Sequence, residues 1–184
     1  YFDKVTDTFG PGSVDSYAVI DGKIIAANPW EGGGSFNFSQ RAWYTDALAS
    51  AGEVVFSDVY TDSITGEPVI TVSKALQKDG DVFAMDVYLD NPALHISASS
   101  LPESYSCYLF DSQGTLVYAI THWDVDRQTL QQFGDQLMEG MQSGRLVAYD
   151  ASFQDPDGVS RGAYAYEMSN GWSIIVTIPM EQIL

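Results

Sequence analysis

The chain has 184 residues, of which 45% are hydrophobic and 13% aromatic, a composition typical of a folded protein with one large core or two small ones. Its 8 Lys and Arg residues stand against 25 Asp and Glu, and the formal net charge of −17 excludes partners such as nucleic acids and anionic lipid surfaces, which it would repel. No apolar run approaches the roughly 20 residues that cross a bilayer.

The first half of the chain predicts five strands and one helix. Residues 16–20 and 23–27 are predicted strands joined by the dipeptide DG, which is typical of a two-residue β-hairpin. After the breaker EGGGS, Ser39 is the predicted N-cap of a helix over residues 41–50, which Gly52 ends. The stretches EVVFSDVYTD, EPVITVSKALQ and GDVFAMDVYLD predict three further strands.

The second half repeats this plan, which indicates an internal repeat of architecture. SYSCYLFDSQGTLVYAI predicts a strand, a turn and a strand, and an apolar stripe predicts a helix over residues 126–143. RLVAYDASF, VSRGAYAYEMS and GWSIIVTIP predict the remaining strands. The sequence therefore predicts an α+β fold of two small units, each an antiparallel sheet backed by a helix, with the boundary within residues 91–104.

In the first unit, Arg41, Trp43 and Tyr44 concentrate hydrogen-bond donors at the predicted start of a helix. A guanidinium matches the planar fork of a carboxylate, an indole donates one N–H, and a helix N-terminus adds unpaired backbone N–H groups. In a regular helix Arg41 and Trp43 lie about 200° apart, so they converge on one anion only if Arg41 precedes the regular turns. The alternative is an exposed Arg41 beside a Trp43 that anchors the core.

A second group of polar residues follows in the predicted strands. Asp86 lies inside a strand, where a carboxylate costs free energy unless a cation or several donors accompany it. Tyr60 stands between Asp58 and Asp62. A pocket with Arg41 at one end and Asp86 at the other would suit a zwitterion. The alternatives are a strand face open to water for Asp86 and turn roles for the other two aspartates.

Other patterns do not support metal or covalent chemistry. His95 and His122 have neither cysteine partners nor a His-x-x-x-His spacing, so no metal site is expected. The sequence DPDG at residues 155–158 lacks the twelve-residue spacing of a calcium loop and predicts a hairpin turn. Because no Gly-x-Ser-x-Gly elbow is present, we expect neither an enzyme nor a cofactor.

The order of these parts resembles the double Cache (dCache) extracellular sensor domains of bacterial chemoreceptors, sensor histidine kinases and diguanylate cyclases. The resemblance rests on GKIIAANP, RAWYTDA, DVYTDSITGEPVITVSKAL and DVFAMDVYL in the first unit, and on CYLFDSQGTLVYA and NGWSIIVTIP in the second. It implies two PAS-like (Cache) modules in tandem, each an antiparallel sheet flanked by helices. Residues 1–12 are then the tail of a largely absent long N-terminal helix, residues 13–95 a membrane-distal ligand-binding module, and residues 96–184 a membrane-proximal module leading to a transmembrane helix.

The resemblance also implies site residues. In amino-acid-binding members, the motif arginine and tryptophan hold the α-carboxylate of the ligand, and the tyrosine and aspartates hold its α-ammonium. The residues at matching positions are Arg41, Trp43, Tyr44, Tyr60, Asp62 and Asp86. The chain departs from that subset at Phe36, where a tyrosine is common, and this leaves room for another carboxylate, an amine or a modified amino acid.

We therefore expect the extracytoplasmic ligand-sensing domain of a bacterial transmembrane receptor, serving chemotaxis or a two-component system. It is expected to bind an α-amino acid or similar small zwitterion in the distal module, without catalysis. The fragment itself is not expected to insert in the membrane, but flanking transmembrane helices would tether it, and the full receptor could be a homodimer. Two alternatives stay open: a ligand-free module that senses a partner solute-binding protein, and a sensor of another carboxylate or amine.

Overall fold

A computed structural model describes residues 2–9, 12–29, 36–50, 52–90, 102, 104–123, 125–147 and 152–183 of the chain. The chain divides into two compact units, Tyr1–His95 and Ile96–Leu184. The predicted boundary segment falls almost entirely outside the described residues, as do His95 and the breaker EGGGS. Within the described ranges, the helices are too short or too polar to cross a bilayer.

The first unit is built on a six-stranded antiparallel sheet. Its helices and strands are α1 (Phe2–Phe9), β1 (Val14–Ile20), β2 (Lys23–Ala26), α2 (Ala42–Ala49), β3 (Val54–Phe56), β4 (Tyr60–Thr61), β5 (Pro68–Ala75) and β6 (Val82–Tyr88). The strand order is β2-β1-β6-β5-β3, and β4 pairs with β5. The first and last long strands of the unit, β1 and β6, are therefore neighbours at the centre of the sheet.

The predicted DG hairpin is confirmed. Asp21 and Gly22 both have positive φ angles, 52° and 72°, and Ile20 pairs directly with Lys23 across the two-residue loop. Two successive left-handed residues are the geometry of a type I′ turn, whose twist matches that of the flanking strands. This local signal thereby determines the register of β1 against β2.

Two predicted elements of the first unit are wrong in detail. The strand predicted over EVVFSDVYTD is interrupted between β3 and β4. The reason is that the Ser57 hydroxyl accepts the backbone N–H of Thr71 at 2.8 Å, and a continued strand would have paired this N–H with one of its own backbone oxygens. The predicted N-cap Ser39 instead lies in a 3-10 turn, Phe38–Gln40, where the Asn37 side chain accepts its backbone N–H at 3.2 Å. Arg41 is the N-cap of α2.

One face of this sheet is covered by α2. Trp43 and Ala47, the buried residues of the helix, pack against Val19, Val82 and Ala84 from the central strands. The Ser73 hydroxyl donates to the backbone oxygen of Trp43 at 2.7 Å and ties the start of the helix to the sheet. This packing holds the N-terminus of α2 above the strand face that also carries Asp86.

The second unit has a five-stranded antiparallel sheet in the order β8-β7-β11-β10-β9. Its elements are β7 (Ser106–Phe110), β8 (Leu116–Ile120), α3 (Arg127–Gln142), β9 (Phe153–Gln154), β10 (Ser160–Glu167) and β11 (Ser173–Pro179). Asp126 caps α3 by accepting the backbone N–H of Thr129 at 2.8 Å, and Phe133 and Leu137 from the predicted stripe are buried. An antiparallel sheet with a covering helix in each unit confirms the α+β class.

The strand predicted from RLVAYDASF is wrong at its start. Arg145–Val147 form a 3-10 turn, and among the described residues of this stretch Phe153, its last residue, pairs as a strand, in β9. The predicted DPDG turn is confirmed, because the Asp155 carboxylate accepts the backbone N–H groups of Asp157 and Val159 at 3.0 and 2.9 Å.

Candidate functional site

A pocket opens in the first unit between the central strands, the start of α2 and the segment that contains β4. It holds about 580 Å³ of atom-free space, part of it open to solvent. Six of the predicted site residues line it, namely Phe36, Arg41, Trp43, Tyr60, Asp62 and Asp86. These residues are far apart in the sequence and line one pocket in the fold.

Tyr44 lies elsewhere. Its hydroxyl donates to the backbone oxygen of Gly80 at 2.9 Å, and its ring packs edge-on against Phe38 and Trp43, with centroid distances of 5.0 and 5.8 Å. The helix directs this side chain toward the loop between β5 and β6. Tyr44 supports the position of α2, and it is left out of the candidate site.

The cationic end of the pocket is formed by Arg41 and Trp43. Arg41 has extended backbone angles, φ −83° and ψ 135°, so it precedes the regular turns of α2. Arg41 and Trp43 are therefore not held on opposite faces of the helix, as they would be if both were in regular turns. Its guanidinium lies 4.8 Å from the centroid of the Phe36 ring, a cation–π contact that orients it. Phe36, which lacks the hydroxyl of a tyrosine, therefore positions the Arg41 guanidinium through its ring.

Both donors at this end lack partners in the described part of the chain. Among the described residues, none accepts a hydrogen bond from the Arg41 guanidinium or from the indole N–H of Trp43. Trp43 is 4% exposed as a whole, and it lines the pocket together with Arg41. Two convergent, unpartnered donors in a chain with a net charge of −17 are suited to a small anion such as a carboxylate.

The anionic end of the pocket is formed by Asp86. The carboxylate is 8% exposed, so the alternative of a strand face open to water is wrong. Its Oδ1 accepts hydrogen bonds from the hydroxyls of Thr71, Tyr17 and Tyr60 at 2.7, 2.9 and 3.3 Å. No described residue donates to Oδ2, so half of the carboxylate is left for a ligand in the pocket.

Burial dominates the electrostatics of this end. It raises the pKa of Asp86 to about 6, against the opposing effect of the hydrogen bonds from Thr71 and Tyr17, and the charge of Asp62 adds to the rise. Burial, followed by the charge of Asp86, also raises the pKa values of Tyr17 and Tyr60. The phenols therefore stay protonated and donate to Asp86 at physiological pH.

Two of these partners were not identified from sequence patterns. Thr71 is the direct cross-strand partner of Asp86 in the β5–β6 hairpin, and counting back from the KDGD turn would have identified it. Tyr17 reaches Asp86 through the β1–β6 pairing, for which the sequence has no local signal.

The aspartates around Tyr60 differ in their roles. Asp62 is 6% exposed, and its Oδ2 accepts the backbone N–H and the hydroxyl of Thr65 at 2.9 and 2.8 Å, which confirms its turn role. It also lines the pocket, whereas Asp58 does not. Within the described parts of the chain, no group of three or more His, Cys, Asp or Glu side chains is arranged to hold a metal ion.

The chain is similar to bacterial chemoreceptor sensor domains. Residues 2–91 match the family described as methyl-accepting chemotaxis protein-like, first PDC sensor domain. Methyl-accepting chemotaxis protein TlpB of Bacillus subtilis (strain 168) is 40% identical over 75 residues, 40% of this chain and 11% of that protein. McpB of the same organism is 27% identical over 146 residues, 78% of this chain and 21% of that protein. The chain thus spans about a tenth to a fifth of the length of these relatives.

Solved structures extend the similarity to both units. The ligand-binding domain of Campylobacter jejuni chemoreceptor Tlp3, in complex with 4-methylisoleucine, is 16% identical with a TM-score of 0.60, covering 99% of this chain and 70% of that chain. The ligand-binding domain of Pseudomonas fluorescens chemoreceptor CtaA, in complex with L-serine, is 19% identical with a TM-score of 0.61, covering 91% of this chain and 73% of that chain. At such identities the similarity shows the fold, which is that of two PAS-like modules in tandem.

Proposed function

We propose that the chain senses an α-amino acid or a similar small zwitterion for a chemotaxis receptor, since residues 2–91 match the methyl-accepting chemotaxis protein-like family of first PDC sensor domains. The ligand occupies the pocket of the first unit. Its carboxylate accepts hydrogen bonds from Arg41 and Trp43, and its ammonium donates to Asp86, with Tyr60 and Asp62 beside it.

The observation that carries this proposal is the opposite charge at the two ends of one pocket, each with unused hydrogen-bonding capacity. Within the described residues, Arg41 and Trp43 offer donors without acceptors, and Asp86 offers an oxygen without a donor. A simple anion or a simple amine would satisfy one end and leave the other desolvated and unpaired, which costs binding free energy. A zwitterion satisfies both. The Tlp3 and CtaA domains, solved with isoleucine, valine, serine, alanine or leucine, support the same ligand class.

The domain acts by binding and not by catalysis in this proposal. Ligand binding favours one of two conformations of the receptor by its difference in affinity for them, and no bond is made or broken. We place the domain outside the cytoplasm, tethered to the membrane by other parts of the receptor. A ligand-free docking module is the weaker candidate, because docking a protein partner does not explain why a buried carboxylate and an unpartnered guanidinium lie in one pocket.

Isothermal titration of the chain with a panel of L-amino acids tests this function. We expect at least one to bind with one site per chain. Matched derivatives of that ligand sharpen the test, since N-acetylation removes the ammonium and amidation removes the carboxylate. Each derivative should bind about 30-fold more weakly or worse, the loss typical of an unpaired buried charge. Absence of binding by every amino acid, or equal binding of the derivatives, would rule out the proposed site.

The raised pKa of Asp86 predicts that affinity falls in acid. Below about pH 6 the ligand-free carboxyl is protonated, so an ammonium must displace a proton, and the dissociation constant should rise about tenfold per pH unit. Above pH 7 it should be constant. Burial raises the pKa of Tyr88 to about 12 and keeps Tyr17 and Tyr60 protonated as well, so the phenols do not titrate in this range.

Titrations between pH 5 and pH 8 in buffers of different ionisation enthalpy check this dependence. At pH 6 the observed heat should vary with the buffer because protons are released, and at pH 8 it should not. A constant affinity across the whole range would contradict the role of Asp86 as the ammonium ligand.

A further inference from the structure

Asp15 is a third carboxylate in the pocket, which the proposed contacts leave unused. In the β1–β6 ladder it lies directly opposite Asp86, so both side chains stand on the same face of the sheet. Like charges directly opposite each other destabilise a sheet. The ion pairs formed among the described residues involve other acids: Lys78–Asp21, His122–Asp157 and Arg161–Asp155. A bound cation would remove this cost.

The Asp15 carboxylate is held in position. The side-chain amide of Asn28 donates to its Oδ1 at 3.1 Å, and no described side chain donates to its second oxygen. Burial raises the pKa of Asp15, hydrogen bonds from the Asn28 amide and the Ser16 backbone N–H oppose the rise, and the charge of Asp62 adds to it. The half-buried carboxylate faces the same pocket as the two other aspartates.

The spacing of Asp15 and Asp86 fits two cationic groups on one ligand. Residues directly opposite in an antiparallel ladder have Cα atoms about 4.5–5.5 Å apart. The α-ammonium and the side-chain cation of a basic amino acid, separated by three or four methylene groups, can span such a pair. Ile24 and Ala26 of the adjacent strand β2 line the pocket and supply apolar contacts for those methylene groups.

The charge balance of the pocket points in the same direction. Asp15, Asp62 and Asp86 stand against the single guanidinium of Arg41 among the lining residues. An amino acid with a neutral side chain leaves this excess negative charge in place, whereas a basic one reduces it. The unpartnered donors of Arg41 and Trp43 require a carboxylate on the same molecule, which disfavours a simple diamine.

We propose that Asp15 is a specificity-determining residue that contacts a second cationic group of the ligand, so that the pocket selects basic α-amino acids such as lysine, ornithine and arginine. This inference rests on the proposed amino-acid-binding function. It names the ligand class and the residue that selects it.

Titration of the chain with L-lysine and L-norleucine tests the inference, because norleucine has the six carbons of lysine without the terminal ammonium. We expect lysine to bind at least about tenfold more tightly. Asp15→Asn should weaken lysine binding about tenfold and leave norleucine within about twofold. The control Asp46→Asn makes the same charge change at an exposed position on α2 and should alter neither affinity. Cadaverine, which lacks the carboxylate, should bind much more weakly than lysine.

The outcomes separate this inference from the function on which it rests. Equal affinities for lysine and norleucine in the parent chain overturn the role of Asp15 and leave amino-acid binding intact, whether or not the variant folds. A lysine preference that survives in a folded Asp15→Asn variant also overturns it. If no amino acid binds at all, both proposals fail together.

Discussion

Arg41→Ala is expected to abolish measurable amino-acid binding while the domain stays folded. The Arg41 side chain makes no capping hydrogen bond to the helix. The helix contacts Arg41 through its backbone oxygen, which accepts the backbone N–H groups of Tyr44 and Thr45, each at 3.0 Å. Without the guanidinium, a ligand carboxylate in the pocket would be desolvated and would face only the aspartates of the lining. The cost of an unpaired buried charge is about 2–5 kcal/mol, a loss of affinity of roughly 30-fold to several thousand-fold.

Two further variants make this result specific. Arg145→Ala removes the same charge from an exposed position in the second unit, and it should leave affinity unchanged. Arg41→Lys keeps the charge but not the planar fork, and it should restore only part of the affinity. All three variants are titrated calorimetrically against the best ligand of the panel. Binding by Arg41→Ala as tight as that of the parent would show that the carboxylate lies elsewhere.

Asp86→Asn is expected to remove binding and to make the protein more stable. Its carboxyl has a pKa of about 6 in the fold, against the model-compound value of 3.8. Between these pH values Asp86 is ionised in the unfolded chain and still protonated in the folded one. The free energy of unfolding therefore falls as pH rises from about 4 to 6, and the loss stays constant above pH 6. A shift of about two units corresponds to roughly 3 kcal/mol as an upper value.

The amide isostere avoids this cost and keeps the hydrogen bonds. Its oxygen can still accept from Thr71, Tyr17 and Tyr60, while its NH₂ replaces the oxygen to which no described residue donates. The variant should therefore unfold at a higher temperature than the parent at pH 7.5 and at the same temperature near pH 4. Affinity for the ligand should fall about 100-fold or more, since the ammonium loses its counter-charge.

Thermal unfolding at the two pH values, with and without ligand, measures both effects. Asp46→Asn serves as the matched control, because Asp46 is exposed on α2 and its neutralisation should change neither quantity appreciably. A decrease in stability of Asp86→Asn at pH 7.5 would indicate that the charge of Asp86 is compensated within the fold, and a structural role would then replace the binding role.

The sequence by itself determined the features that depend on neighbouring residues. The DG dipeptide specifies a type I′ hairpin, the apolar stripe of residues 126–143 predicts α3, and strand alternation puts Asp86 on the face it occupies. These predictions are right because turn conformation, helical periodicity and side-chain direction are set within a few residues of the chain. The residues that line the pocket were named from short motifs and from the family resemblance, and their binding roles stay a prediction.

Only the tertiary structure decided how these parts meet. The pairing of β1 with β6 brings Tyr17 and Asp15 to Asp86 across about 70 positions, and no local pattern encodes that register. The 3-10 turn before α2 leaves the Arg41 backbone extended, so that its side chain lines the pocket, while the Tyr44 hydroxyl donates to the backbone oxygen of Gly80. Strand order and helix docking depend on burial of the whole core, and so the charge balance of the pocket, which governs the proposed ligand, follows from packing and not from any single motif.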